Sequence, residues 1–385
     1  VLNSCGGGGG MTAGSGIDGT GIMSAGVVSA FGSIIVNGTE FDTSNAVVVV
    51  KGEEIGVGDD DVQANLEIGM VVTVEGRIKE DGSAVADRVI YSSNVAGPVE
   101  SVSGIDPITN EKEIVVLGQI VVVNFITKFK PDTFGFDSIA LNDVVEVSGY
   151  FDDTGAIRAT FIEKIDDILE YGVTGFVESL DTKSETFKIN DLTVDYSSIN
   201  PSDLPEDFNN DLFVEVEGEL DDTSGELIAT AIELADELGG DDGDALEIMG
   251  FITEIISDID IIKFKVGNQE VHVDPDSAVF VDGFPNDIAP GKKLEAEGSL
   301  EGGILFAEEI EFWGPDQIEV EGLVTDIASD TEFTVGDQVV KTDDDTVFEP
   351  PELEIAVNLK LEVKGVPRDI DHNILDADKV SFEED

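Results

Sequence analysis

The stretch DIDHN, Asp369–Asn373, sets oxygen donors at alternate positions, the spacing with which a calcium loop opens. A helix-flanked calcium loop also needs a glycine at its sixth place and a bidentate glutamate at its last. Ile374 and Val380 stand there, so that loop is excluded. A looser hairpin-turn site on Asp369, Asp371 and Asn373 remains open, and Asp152 with Asp153, or Asp343–Asp345, offers the same chemistry. The competing reading at each is a solvated acidic turn, the usual state of a carboxylate run. Calcium is thus the one cofactor the sequence suggests.

Other chemistry finds no constellation. His272 lies in an alternating stretch, EVHVDP, and His372 in an acidic turn, neither beside a nucleophile in a known motif. The GxG patterns near the start have no preceding strand and no closing Lys-Ser/Thr, so they do not cradle phosphate. Carboxylate pairs are so abundant that none is singled out as an acid–base couple. No catalytic residue is nominated, and the expectation is a protein that is not an enzyme.

The elements that would position these residues repeat along the chain. The motif VTVEG at Val72–Gly76 recurs as VEVSG at Val145–Gly149, VEVEG at Val214–Gly218, LEAEG at Leu294–Gly298 and LEVKG at Leu361–Gly365. A polar turn follows each, then a second alternating stretch such as ADRVI at Ala86–Ile90 or ATAIE at Ala229–Glu233. Alternation around Gly/Asp/Asn turns is the signature of β-hairpins. A further hairpin and a third strand, such as Val47–Val50, lie upstream of each motif. Ile34, Ile114, Phe187, Phe264 and Phe333 hold one strand position in the five copies, which marks a buried face.

The fold class is therefore all-β: five tandem five-stranded Greek-key barrels of OB-like type, with an SH3-like barrel as the rival. Residues 1–20 form a glycine-rich strap or tether. The repeats span 21–93, 94–166, 167–235, 246–314 and 316–385, and 236–245 is an acidic linker read as the hinge. Trp313 is read as a plug between copies four and five.

Acidity limits the partners. The 84 Asp and Glu against 20 Lys and Arg give a net charge of −64, which excludes a phosphate backbone and disfavours anionic membranes. Divalent cations are expected partners, because they screen or bridge carboxylates. A single cysteine precludes an internal disulfide. No apolar run is long enough to span a membrane as a helix.

The segments GSGIDGTGI, GVVSAFGSIIVNGTEFDTS and IGMVVTVEG resemble a bacterial family of uncharacterised tandem β-barrel repeat domains found in secreted proteins and predicted lipoproteins. The resemblance is strongest over Gly14–Ile90. It implies a barrel repeat and an extracellular or cell-surface setting, and it carries no catalytic residues. Leu2-Asn3-Ser4-Cys5 also resembles a lipoprotein attachment site, although Asn3 departs from the preferred types. Cys5 is thus a candidate for lipidation or for a subunit contact, and a lipid anchor is an open alternative.

Glycine in the leader permits close backbone approach, and Ile17, Ile22 and Met23 could fill pockets on a sister subunit. A head-to-tail contact of that kind that does not close builds a filament. The expectation is a secreted structural protein that polymerises through its leader and displays a polyanionic surface. The alternative is a surface lipoprotein whose repeats bind glycan or calcium.

Overall fold

The computed structural model describes residues 21–31, 33–79, 82–166, 170–221, 223–235, 240–257, 259–336, 338–368 and 374–382. Cys5, Ile17, Asp369, Asp371 and Asn373 lie outside the described residues.

Repeat 1 shows how the pattern closes on itself. Its strands are β1 (Gly21–Phe31), β2 (Ile34–Val36), β3 (Thr39–Asp42), β4 (Val47–Val50), β5 (Glu53–Val57), β6 (Val71–Ile78) and β7 (Ala84–Tyr91). The long β1 bends, pairing antiparallel with β6 through its first half and with β2 near its end. Asn37 and Gly38, both at positive φ, turn β2 back into β3. Next, β3 and then β4 lie parallel to successive parts of β7, and β7 returns antiparallel to β6. The order β1-β2-β3/β4-β7-β6-β1 is a closed barrel of OB topology. The sequence reading put one strand at Val47–Val50; the structure divides that barrel position between β3 and β4. It also adds a short helix, α1 (Asp59–Asn65), whose Val62, with Leu66 just beyond it, is buried in the barrel core. Seven residues are too few to register as helical periodicity.

The other four repeats keep this order. Their first strands begin at Val95, Tyr171, Ala245 and Ile318, and their closing hairpins occupy 144–164, 213–234, 293–313 and 360–382. The inward Val, Ile, Leu and Phe of each barrel are buried, among them Ile34, Ile114, Phe187, Phe264 and Phe333.

The recurring glycine has one structural cause. At Gly76, Gly149, Gly218, Gly298 and Gly365 the closing hairpin shifts register in a β-bulge. A Cβ there would lie 2.0–2.3 Å from the carbonyl oxygen of Val85, Arg158, Ile228, Phe306 or Asp376. Only a residue without a side chain lets the strands approach this closely at the bend.

The barrels are not beads on a string. The first strand of repeat 1 pairs parallel with the first strand of repeat 4, Ile22↔Ala245 through Ala25↔Ile248. Repeats 2 and 3 pair at Ala96↔Gly172 and Val95↔Val173 and share one apolar core. A further cluster joins Tyr150 of repeat 2, Met249, Phe251 and Trp313 of repeat 4, and Val27 and Val71 of repeat 1.

Two sequence expectations are corrected here. Ile22 and Met23 do not project toward a sister subunit: both lie on β1, where Ile22 packs in the core of repeat 1 and Met23 in that of repeat 4. Strand alternation sends the two neighbours to opposite faces, and each face meets a barrel of the same chain. The linker does not hang free over 240–244 either. Gly243 N–H donates to the Leu300 carbonyl, and Gly302 N–H to the Asp242 carboxylate. Residues 236–239 lie outside the described residues.

Candidate functional site at the barrel junctions

In each closing hairpin the valines and leucines point inward, so the intervening residues point out. Those outward residues are largely glutamates: Glu146, Glu215 and Glu217, Glu295 and Glu297, and Glu362 before Lys364. On an isolated barrel they would be solvated. Here the faces that carry them meet other repeats, and a few lysines compensate many carboxylates.

At the junction of repeats 1, 2 and 3, Lys51 Nζ lies 2.5 Å from Glu146 Oε2, and the buried Tyr91 hydroxyl donates to Glu146 Oε1 at 3.0 Å. Val71 N–H donates to Ser148 Oγ across the same seam at 2.9 Å. Burial, with Glu146 adding its charge, holds the Tyr91 hydroxyl well above the usual phenol range. Burial also pushes the Glu215 carboxyl up to about 7, which Ser92 opposes with a hydrogen bond.

The junction of repeats 4 and 5 centres on Lys364. Its ammonium lies 2.7 Å from Glu311, 3.5 Å from Glu319 and 3.8 Å from Glu362, and 4.2 Å from the centre of the Trp313 ring. Burial alone would lower its pKa, but Glu319, Glu311, Glu362 and Glu295 together hold it above the usual lysine range. Lys293 Nζ donates to the Gln317 carbonyl at 3.0 Å and sits 5.3 Å from the Trp313 ring. Its burial brings it down to about 8. Trp313 therefore joins more barrels than copies four and five, contacting repeats 1 and 2 through the shared apolar cluster.

Beside this junction opens a cleft of about 860 Å³ between repeats 4 and 5. Lys292, Lys341, Lys364, Arg368 and Lys379 line it, five of the 20 Lys and Arg in the chain. Acidic side chains still outnumber them there, and Phe312 and Trp313 form an aromatic wall. The cleft thus offers hydrogen-bond donors and acceptors side by side, while the Trp313 ring is buried against Lys364.

The turns read as calcium candidates look different. Asp152 Oδ1 accepts from Thr154 N–H, Thr154 Oγ and Ala156 N–H, and Arg158 lies 3.8 Å from its other oxygen. These donors engage Asp152 within its own turn, and Asp153 is exposed beside it. Asp343 Oδ1 likewise accepts from Asp345 N–H. His272 contacts Glu270 at 2.6 Å and packs edge-on against Phe306. The functional groups that sequence reasoning missed are Glu247, Glu295, Lys293 and Lys364. Their alternation marked them as outward, but only the packing of whole barrels shows that outward means buried.

No curated protein matches the chain. A solved structure from Drosophila, "drosophila Unr CSD456", aligns over 51% of this chain and 90% of its own at 15% identity and a TM-score of 0.14. The family described as a domain of unknown function (DUF5666) matches five times, at residues 20–90, 96–163, 174–233, 249–311 and 321–380. Five tandem copies of its domain make up most of the sequence, and the chain belongs to this family.

Proposed function

We propose that this chain is a non-enzymatic structural protein of the bacterial cell exterior, a rigid acidic subunit that joins copies of itself through its N-terminal residues. The observation that carries the reading is the position of β1. It is hydrogen-bonded along one side to β6 and along the other to the first strand of repeat 4. A load on the leader therefore runs along β1 and is shared by two ladders at once. The junctions pass it on to the remaining barrels, so the leader is anchored in the whole body. With a net charge of −64, such an assembly presents a polyanionic surface, and cations reduce repulsion between subunits. Negative-stain microscopy of the native extracellular fraction should show fibres, and deleting residues 1–20 should abolish them while leaving the circular dichroism of the barrels intact. Fibres that survive the deletion, or native material that never forms them, overturn the reading.

The cleft between repeats 4 and 5 favours a second reading, a surface lipoprotein whose repeats bind a glycan. Paired donors and acceptors in a cleft of this size suit a polyhydroxylated ligand. Mass spectrometry would then find Cys5 acylated, and soluble oligosaccharides would shift Trp313 fluorescence.

A further inference from the structure

Glu247 is fully buried where repeats 1 and 4 share a sheet. Ser24 Oγ of repeat 1 donates to its Oε2 at 3.1 Å, and Asn37 in turn donates to Ser24 Oγ. Its second oxygen, Oε1, receives no hydrogen from any protein donor. On the paired strand, Glu247 lies opposite Glu297 and Met249 opposite Glu295, which puts Glu295 diagonally next to Glu247 on the same face, with its carboxyl within hydrogen-bonding reach of the Glu247 carboxyl. Two carboxylates have no hydrogen to offer each other, so this contact requires a proton between them.

We propose that the Glu247–Glu295 pair is a proton-operated lock: one shared proton lets both carboxyls stay buried where Ser24 seats repeat 1 on repeat 4, and its loss loosens that seam. The surrounding charges are consistent. From repeat 4 itself Glu297 and Glu311 face the pair; from repeat 5 come Glu319, Glu362 and Lys364; repeat 1 contributes the uncharged Ser24 and Asn37. Lys293 of repeat 4, held by the Gln317 carbonyl, and the buried Tyr150 hydroxyl of repeat 2 also feel the Glu295 charge. Two ammoniums, Lys364 and Lys293, cannot balance this many ionised carboxylates in a buried site, so holding a proton is the least costly way to close it.

The direction of the pH effect follows. Burial pushes Glu295 up to about 7 and holds Glu247 well above the usual carboxylate range; the Glu295 charge raises Glu247 further, whereas the hydrogen bond with Glu247 tempers the rise at Glu295. Acids with raised pKa values bind more protons in the closed state than in the open one. The stabilisation is present at low pH and is lost as pH rises from about 4.5, the value of an exposed glutamate, through about 7.

Hydrogen exchange of the full chain, at fixed high salt with EDTA, tests this. Peptides covering β1 and residues 245–250 are followed from pH 5 to 8.5, each rate corrected for intrinsic exchange. The opening equilibrium of this seam should rise by up to about tenfold per pH unit over this range. The hairpin of repeat 3 over residues 186–195 serves as a reference and should stay flat. Glutamine mimics the protonated acid, so Glu247→Gln and Glu295→Gln should each flatten the response of the seam. Glu301→Gln, in an exposed turn, should leave it unchanged. A wild-type seam with no pH slope, or an unchanged slope in both seam variants, overturns the proposal. Two isosteric variants keep the test decisive if one fails to fold.

Discussion

Replacing Lys364 with methionine removes an ammonium that lies within 4 Å of Glu311, Glu319 and Glu362 while keeping much of the apolar stem. The side chains involved are 9–15% exposed, so solvent screening is weak. Removing one partner of a buried ionic group costs about 3–5 kcal/mol, because the other charges stay buried and uncompensated. Losing the contact with the Trp313 ring adds about 0.5–2 kcal/mol. The loss should depend on pH. Burial raises Glu319 and Glu362 above the ordinary range, with the Glu362 charge adding at Glu319 and the Glu311 charge at Glu362, and burial raises Glu295 to about 7. At pH 5.5 these groups can take up protons in place of the missing cation, and the cost should fall to about 1–2 kcal/mol. The wild-type ammonium is charged at both values, so it supplies no pH dependence of its own over this range. Trp313 is the single tryptophan and lies at this junction, so its emission in a urea titration reads the seam directly. An equal loss at pH 5.5 and pH 8, or no loss at pH 8, would refute the reasoning.

Three further outcomes are expected. Gly298→Ala should destabilise repeat 4 by about 1–3 kcal/mol, since its Cβ meets the Phe306 carbonyl, and the corresponding urea midpoint should fall without a change in slope. Phe264→Ala should cost about 3–5 kcal/mol and expose repeat 4 to limited proteolysis before the other repeats, because Phe264 is fully buried in that barrel. Melting temperature should rise with sodium chloride and with millimolar calcium, given a net charge of −64; a flat salt response would mean the carboxylates are already compensated at the junctions.

The barrel itself was readable because its signals are local. Alternation places Phe187 or Val216 inward wherever the strand lies, and an Asn-Gly pair marks a tight turn in any context. The recurring glycine of the VxVxG motif was visible as a position, but its reason was not, since the carbonyl that excludes a side chain belongs to the partner strand. The junctions were hidden for a related physical reason. Glu295 and Lys364 read as solvated residues, because a period of two distinguishes inside from outside and says nothing about what lies outside. The pairing of Ser24 with Glu247 joins residues far apart in sequence, and no short-range pattern encodes it. Ile22 and Met23 looked like parts of a glycine-rich leader, whereas they already belong to β1, and each serves a different barrel.

Small-angle scattering from the monomeric fraction of the full chain tests the central claim, that five barrels are welded into one body. A compact chain of this length has a radius of gyration of about 21 Å, and grooves between barrels and the leader raise it to about 25 Å. Five separate barrels strung end to end would give about 40 Å by the same scaling. A value near 25 Å, unchanged by salt, is the result predicted; a value near 40 Å would show that repeat 1 does not meet repeat 4 in solution and would contradict the account.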